Sequence, residues 1–179
     1  MCDRLFVVTG GPGSGKTALI EALAREGTSC MPEAGRAVIQ HQLRIDGTAL
    51  PWADRAAFAE LMLNWDIRSH DEASRSNAPV MMDRGIGDVV GYLTLCGLSV
   101  PTHVKRAAEL YRYNPRVFIA PYWEEIFTQD AERKQDEAEA RATFEVMAAT
   151  YGDLGYELTM LPFASVSDRA AFVLEHLQR

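Results

Sequence analysis

Residues 10–17 read GGPGSGKT, and this stretch decides the fold because it matches the whole Walker A pattern Gly-x-x-x-x-Gly-Lys-Thr. An apolar run at residues 5–8 leads directly into the loop, and a helical pattern over residues 17–25 leads directly out. The glycines let the backbone turn back so that several N–H groups point at one phosphate, where the helix N-terminus adds partial positive charge. We therefore predict that the whole loop binds a nucleotide, through Gly10, Gly11, Pro12, Gly13, Ser14, Gly15, Lys16 and Thr17.

The last two residues of the loop predict a magnesium-dependent site. Lys16 is expected to reach the outer phosphates as a catalytic residue, and the Thr17 hydroxyl to ligate Mg²⁺. The expected cofactor is ATP with Mg²⁺, and GTP stays open. Residues 133–136 match the guanine-selecting pattern Asn/Thr-Lys-x-Asp only in part, and they lie in a helical stretch rather than after a strand. Base preference is therefore left to the loop at residues 161–165.

Apolar runs and helical patterns alternate along the rest of the chain. Further apolar runs occupy residues 29–32, 80–82, 117–120 and 158–161. Helical patterns occupy much of 34–76, where Phe58, Leu61, Met62 and Trp65 form an apolar stripe, and then 86–96, 101–112, 130–151 and a last helix that Ser165 and Asp168 cap. This alternation predicts an α/β fold, a three-layer sandwich with about five parallel strands and helices on both faces. Residues 1–179 are expected to form a single domain.

The bulk composition is that of an ordinary globular protein. A net charge of −7 argues against a broad nucleic-acid surface. Cys2, Cys30 and Cys96 are odd in number and widely spaced, which is typical of reduced thiols rather than of disulfides or a metal site. The apolar run near the start is too short for a signal peptide or a membrane span. We expect a cytoplasmic protein without a membrane span.

The turn after the third apolar run carries a second group of candidates. Asp83 directly follows the run, and the carboxyl ends of strands are where ligands bind in open α/β sheets. Asp83 is therefore expected near Thr17, either beside Mg²⁺ or as the base toward an acceptor hydroxyl. Arg84 and Asp88 are predicted to face the acceptor. The alternatives are that Asp83 caps the next helix, that Arg84 is solvated, and that Asp88 is structural.

Two further segments complete the predicted site. Glu33 and Arg36 follow the second apolar run on the same edge, where Glu33 can bond a hydroxylated acceptor or simply favour a helix N-terminus. The charged stretch around Arg133 is the candidate lid, at about residues 124–141, with Arg133 closing over the transferring phosphoryl group as a catalytic residue. The Glu137–Arg141 spacing also fits an ordinary solvated helix face.

Taken together, these segments resemble a known family over nearly the whole chain. The matching pieces read FVVTGGPGSGKT, PEAGRA, LPWADR, MMDRGIGD, APYWEEIFTQDAERKQ, GYELTMLP and SVSDRAAFVLE. The chain is similar to small P-loop ATPases that carry the AAA label and are related to the nicotinamide riboside kinase domain. The resemblance implies a nucleotide-kinase-like fold with strand order 2-3-1-4-5. It also implies that Asp83 and Arg84 face the acceptor, that Glu33 lies in the acceptor pocket, and that Arg133 belongs to the lid.

The leading interpretation is an ATP- and Mg²⁺-dependent phosphotransferase that acts on a nucleoside-like or other small hydroxylated acceptor. It depends on the presence of a second group of polar residues, Glu33, Arg36, Arg84 and Asp88, which form a polar rim separate from the phosphate loop. A pure hydrolase has less need of such a second pocket. The rival is a regulatory nucleotide-binding protein that acts through a protein partner, because P-loop switches share the same phosphate cradle. The identity of the acceptor and the oligomeric state are left open.

Overall fold

A five-stranded parallel sheet forms the centre of the protein in the computed structural model, which describes residues 3–126 and 137–177. The order is β2-β3-β1-β4-β5, as the family resemblance implied. Every neighbouring pair runs parallel. The strands are β1 (Leu5–Gly10), β2 (Ser29–Met31), β3 (Val80–Asp83), β4 (Arg116–Ala120) and β5 (Glu157–Met160).

Helices connect the strands and agree with most of the predicted segments. The helical region predicted for 34–76 consists of two helices, and the helix predicted for 130–151 is described from Glu137 onward. Ser165 caps the last helix as predicted, since its Oγ accepts the Asp168 N–H at 3.2 Å and donates to the Asp168 carboxylate at 2.6 Å. The helices are α1 (Lys16–Arg25), α2 (Ala34–Arg44), α3 (Arg55–Ala73), α4 (Ile86–Leu95), α5 (Thr102–Leu110), α6 (Glu137–Asp153) and α7 (Val166–Leu177).

The apolar run of β1 is continuous because both of its faces are covered. Leu5 and Val7 pack into one core with α3, α4, α5 and α6. Phe6 and Val8 point the other way and pack into a second core with α1 and α7. Alternate side chains of a strand lie on opposite faces of the sheet, so a strand between two helical layers must be apolar throughout. The predicted three-layer sandwich is confirmed.

The apolar stripe predicted for α3 is only partly correct. Phe58 is buried, but Leu61 is 38% exposed and Trp65 is half-buried. The helix buries a different set of side chains that includes polar ones: Phe58, Ala59, Leu63, Asp66, Ser69, His70 and Ala73. Counting apolar residues alone therefore locates only part of the buried face, because polar side chains occupy the middle of the buried stripe.

The parallel arrangement brings the carboxyl ends of the strands to one edge of the sheet. Val8 of β1 pairs with Asp83 of β3, and Gly10 pairs with Ala120 of β4. The phosphate loop follows Gly10 directly, and Glu33 follows β2 at the same edge. The fold thus collects the predicted site residues at the place where open α/β sheets bind ligands.

Two expectations from the composition concern the cysteines and the membrane. Cys30 and Cys96 are free thiols, each half-buried. Within the described residues, no helix combines the length and the apolar content that a bilayer span requires.

Candidate functional site

The phosphate loop joins the end of β1 to the first residue of α1. Gly15 is the N-cap of α1 with a φ of 77°, a left-handed conformation that side chains with a Cβ rarely adopt. A Cβ on Gly11 would collide with the main-chain carbonyl of Ala140 in α6. Gly15 is therefore required by the left-handed turn of the backbone, and Gly11 by the close approach of α6 to the loop.

Lys16 is folded into the loop that it follows. Its ammonium donates to the carbonyl oxygens of Gly10 at 3.1 Å and Gly11 at 2.6 Å, and to Ser14 Oγ at 3.2 Å. Burial lowers the pKa of Lys16, and the nearby Arg84 charge lowers it further, while Asp83 acts in the opposite direction. Within residues 3–126 and 137–177 this buried ammonium bonds only to neutral oxygens, so it is suited to a ligand that brings negative charge.

Asp83 ends β3 beside the start of the loop. Its side chain is 8% exposed, and Oδ1 has no hydrogen-bond partner in the part of the chain that the structure describes. Burial raises the pKa of this carboxyl, and the charge of Glu33 raises it further. Asp83 does not cap α4, whose N-cap is Gly85. The predicted catalytic position is thus occupied by a buried carboxyl with a free oxygen.

Arg84 is held between two carboxylates from different elements. Its Nε donates to Glu33 Oε1 at 3.1 Å, and its Nη1 donates to Asp88 Oδ1 at 2.7 Å. Burial would lower the pKa of Arg84, but the charges of Glu33 and Asp88 outweigh it and raise this pKa. The residue has a φ of 72°, an uncommon conformation for a side chain of this size. Arg84 is therefore not solvated, and the ion pairs help to hold a strained turn in place.

Asp88 lies beneath Arg84 and is saturated by four donors. Oδ1 accepts from Thr9 Oγ1 at 2.6 Å as well as from Arg84, and Oδ2 accepts from the Gly85 N–H at 3.2 Å and the Tyr151 hydroxyl at 2.7 Å. These bonds join β1, α4 and α6. Direct contact of Asp88 with an acceptor, as predicted, would require it to give up one of them.

The remaining predicted residues lie on α2 and in the lid. Glu33 occupies the N-cap position of α2, and its carboxylate binds Arg84. Arg36 lies half-buried in the first turn of α2. Arg133 lies outside the described residues. The Glu137–Arg141 pair next to it is an exposed ion pair of 2.7 Å, as expected of a solvated helix face.

Asp66 is a candidate that the sequence analysis missed. It lies in the buried stripe of α3 and is 5% exposed. Burial raises its pKa, and the charges of Asp88, Glu33 and Asp83 raise it further. The signal in the sequence is an acidic residue at helical spacing between Leu63 and His70. Asp66 adds a buried carboxyl close to those of Asp88, Glu33 and Asp83.

The oxygen donors present fit a magnesium ion. Mg²⁺ takes oxygen ligands and is commonly held by one or two protein side chains together with substrate phosphates and water. Asp83 offers a buried oxygen without a partner, and Thr17 is exposed at the start of α1. Among the described residues, no group of three or more His, Cys, Asp or Glu could hold a metal. The oxygens of Asp83 and Thr17 are of the type that could hold Mg²⁺ together with phosphate oxygens and water.

The family comparison covers almost the whole chain. The family model described as AAA domain matches residues 5–169. This interval begins with the first residue of β1 and ends in the first turn of α7, so it includes the phosphate loop and the Asp83–Asp88 turn. No curated protein sequence matches the chain.

Similar solved structures share the fold at low sequence identity. A deoxyadenosine kinase from M. mycoides with products dCMP and dCDP has a TM-score of 0.64 at 11% identity, with 97% of this chain and 98% of that chain covered. A thymidylate kinase from Ehrlichia chaffeensis has a TM-score of 0.65 at 14% identity, with 99% of each chain covered. NadR in complex with NR has a TM-score of 0.70 at 15% identity, with 98% and 51% covered, so this chain spans about half of that protein. These likenesses show the fold.

Proposed function

We propose that this chain, which belongs to the AAA domain family, is an ATP- and Mg²⁺-dependent phosphotransferase that acts on a small, hydroxylated, nucleoside-like acceptor. The observation that carries the proposal is Oδ1 of Asp83, a buried carboxylate oxygen without a partner beside the phosphate loop. Such an oxygen can accept a hydrogen bond from a hydroxyl or from a water on a metal. A regulatory hydrolase has less need of a separate acceptor pocket.

The nucleotide side of the proposed reaction uses the loop and Lys16. The ammonium of Lys16 leaves the carbonyl oxygens of its own loop and binds the outer phosphates, where it stabilises the transferring phosphoryl group. The Thr17 hydroxyl and, directly or through water, Asp83 hold Mg²⁺. When bound, this ion would neutralise part of the charge of the phosphates. Arg133, outside the described residues, closes over the transferring group.

The acceptor side uses Asp83 with Glu33, Arg36, Arg84 and Asp88. Asp83 positions the attacking hydroxyl and accepts its proton, which a carboxylate at hydrogen-bond distance can do. Glu33 and Asp88 fix the guanidinium of Arg84 at the rim. A preorganised rim of this kind orients an acceptor without reorganising during the reaction.

The charge balance on the acceptor side favours an acceptor without a phosphate or carboxylate group. The groups placed on the acceptor side include four carboxyls, those of Glu33, Asp66, Asp83 and Asp88, against the two guanidiniums of Arg36 and Arg84, and Arg84 already binds Glu33 and Asp88. An anionic acceptor would meet like charges that destabilise its binding. A nucleoside offers hydroxyl and N–H donors to the same oxygens.

The test is ADP formation from Mg·ATP in the presence of nucleosides and, in parallel, of their own monophosphates. We expect one nucleoside to stimulate turnover, its monophosphate to stimulate less, and Lys16→Ala to abolish the signal. Asp83→Asn should lower the stimulated rate by about 10²-fold or more while ATP still binds. Asp71→Asn, an exposed carboxyl on α3, is the matched control and should leave the rate unchanged.

The results that contradict the proposal are equally specific. An unchanged stimulated rate in Asp83→Asn would remove the role given to that carboxyl. Better turnover with a monophosphate would refute the acceptor class. Slow hydrolysis indifferent to every acceptor, together with a partner protein that binds only in one nucleotide state, would favour the regulatory alternative. Repeating the series with GTP decides the base preference.

A further inference from the structure

Arg169 is a buried arginine that reaches from α7 to the phosphate loop. Its side chain is 2% exposed, and its Nη1 donates to the Ser14 carbonyl oxygen at 3.0 Å. The same nitrogen lies 2.9 Å from the position that a Cβ on Gly15 would take. Ala170 and Val173 pack in one core with Leu19 and Leu23 of α1, so α7 is fixed relative to the loop. These contacts join residues 155 positions apart in the sequence.

The guanidinium of Arg169 has no counter-charge in the described part of the chain. No described carboxylate forms an ion pair with it, and its Nε has no hydrogen-bond partner there. The carboxylate of its neighbour Asp168 binds Ser165 Oγ instead, at 2.6 Å. Burial lowers the pKa of Arg169, yet an arginine stays charged in proteins. A buried and unpaired charge destabilises a fold, so Arg169 contributes little to the stability of the nucleotide-free protein.

The hydrogen bond to Ser14 has a consequence for the neighbouring peptide group. In a trans peptide the C=O and the following N–H point in opposite directions, and the described chain contains no cis peptide. Because the Ser14 carbonyl points at Arg169, the N–H of Gly15 points away from α7. Gly15 is also the N-cap of α1, where main-chain N–H groups are free to bind an anion.

We propose that Arg169 is a positioning residue for the nucleotide's phosphates, which orients the Ser14–Gly15 peptide and supplies a positive charge that the bound phosphates neutralise. The proposal rests only on the nucleotide-binding part of the proposed function and does not depend on phosphoryl transfer. Arg169 itself does not touch the nucleotide. It acts through the main chain and through its charge, so it should affect the affinity for phosphates rather than for a base or an acceptor.

The test compares the binding of inorganic tripolyphosphate and of ADP, by calorimetry, in wild type, Arg169→Met and Arg169→Lys. We expect Arg169→Met to bind both ligands about tenfold more weakly or worse, as on loss of a charge-assisted hydrogen bond. Its melting temperature without ligand should be unchanged or higher, because an unpaired buried charge is gone. Arg169→Lys restores the charge and should recover part of the affinity.

The control and the opposing results separate positioning from a structural role. Arg25→Met makes the same chemical change at an exposed site on α1 and should bind like wild type. Wild-type affinity in Arg169→Met, or a lower melting temperature with unchanged affinity, overturns the proposal. If Arg169→Met does not fold, Arg169→Gln keeps a donor for Ser14 and is judged by the same criteria. A wild-type protein that binds neither ligand contradicts the nucleotide site as well.

Discussion

Lys16 and Asp83 show, at the scale of single residues, how the site balances stability against binding. Burial lowers the pKa of Lys16 and raises that of Asp83, so the nucleotide-free protein disfavours the charged form of each. The free oxygen of Asp83 adds an unsatisfied acceptor to a buried place. Side chains chosen for stability alone would avoid this arrangement, and a ligand that supplies the missing partners is the simplest reason for it.

Asp83→Asn is expected to stabilise the nucleotide-free protein, by more as the pH rises. The raised pKa means that the folded protein holds this proton more tightly than the unfolded chain does. The stability that the proton contributes is complete below the unfolded pKa, near about 4, and is lost as the pH rises through the raised folded pKa. The variant has no such loss, so its advantage should reach on the order of 1–3 kcal/mol at about pH 8.

Urea unfolding of both proteins, from about pH 4.5 to about pH 8, checks this expectation. The exposed Asp71→Asn variant should show no such trend. A variant that is less stable than wild type at the alkaline end would mean that Asp83 has a partner which favours its charge. Together with the activity assay, the experiment also shows that lost turnover in Asp83→Asn does not come from lost folding.

The contact between α4 and α6 matters at the scale of secondary-structure elements, because it carries the bond from Tyr151 to Asp88. A Cβ on Gly87 would lie 2.6 Å from the Tyr151 ring. Tyr151 is fully buried in the core, so its ring has little room to move aside. The packing of α6 on α4 therefore decides whether Asp88 can hold Arg84 at the rim.

Gly87→Ala is expected to destabilise the protein by about 1–3 kcal/mol, as overpacking in a close-packed interior does. It should also lower acceptor-stimulated turnover, because the Tyr151 hydroxyl is displaced from Asp88. Gly152→Ala in α6 is the matched control, since nothing lies within 4 Å of the added Cβ. The control should be neutral or more stable by about 0.5–1 kcal/mol. If urea unfolding gave Gly87→Ala the same stability as wild type, α6 would have moved aside without a cost in the free energy of unfolding, and the prediction would be wrong.

The strands could be predicted from the sequence better than the contacts between elements. The runs of β1, β3 and β4 are apolar because parallel strands at the middle of a sheet are covered on both faces. β5 is an edge strand with mostly exposed side chains, and the apolar run at residues 158–161 still indicated it in the sequence. The buried face of α3 was predicted only in part, since Phe58 is buried and Met62 packs against the core while Leu61 is exposed.

In the candidate site, too, some residues could be predicted from local sequence patterns and others could not. The phosphate loop and Asp83 could be located because local patterns carry them, a glycine-rich turn and a residue that ends an apolar run. Tyr151 is 63 positions from Asp88, and no local pattern indicates that the two meet. Asp66 and Arg169 resemble ordinary polar residues of a helix in the sequence. Their burial follows from how the helices stack on the sheet, which the sequence analysis did not resolve.

At the scale of the whole molecule, the site draws on both helical layers. Arg169 contacts the loop from the layer of α1 and α7, and Tyr151 contacts Asp88 from the layer of α6 on the opposite face of the sheet. β1 packs into both cores. A nucleotide bound at the end of β1 should therefore stabilise both layers together, which makes unfolding a test of the predicted single domain.

Scanning calorimetry is expected to give one unfolding transition for residues 1–179, and Mg·ADP should move the whole of it. A ligand at about 100 times its Kd adds about 2.7 kcal/mol to the free energy of unfolding. For a chain of this size that corresponds to an increase of about 5–10 °C in Tm. The calorimetric and van't Hoff enthalpies should agree.

Two transitions, of which Mg·ADP moves only one, would mean that part of the chain folds independently of the phosphate loop. Lys16→Ala should melt in one transition that Mg·ADP does not move, because its loop no longer holds the phosphates.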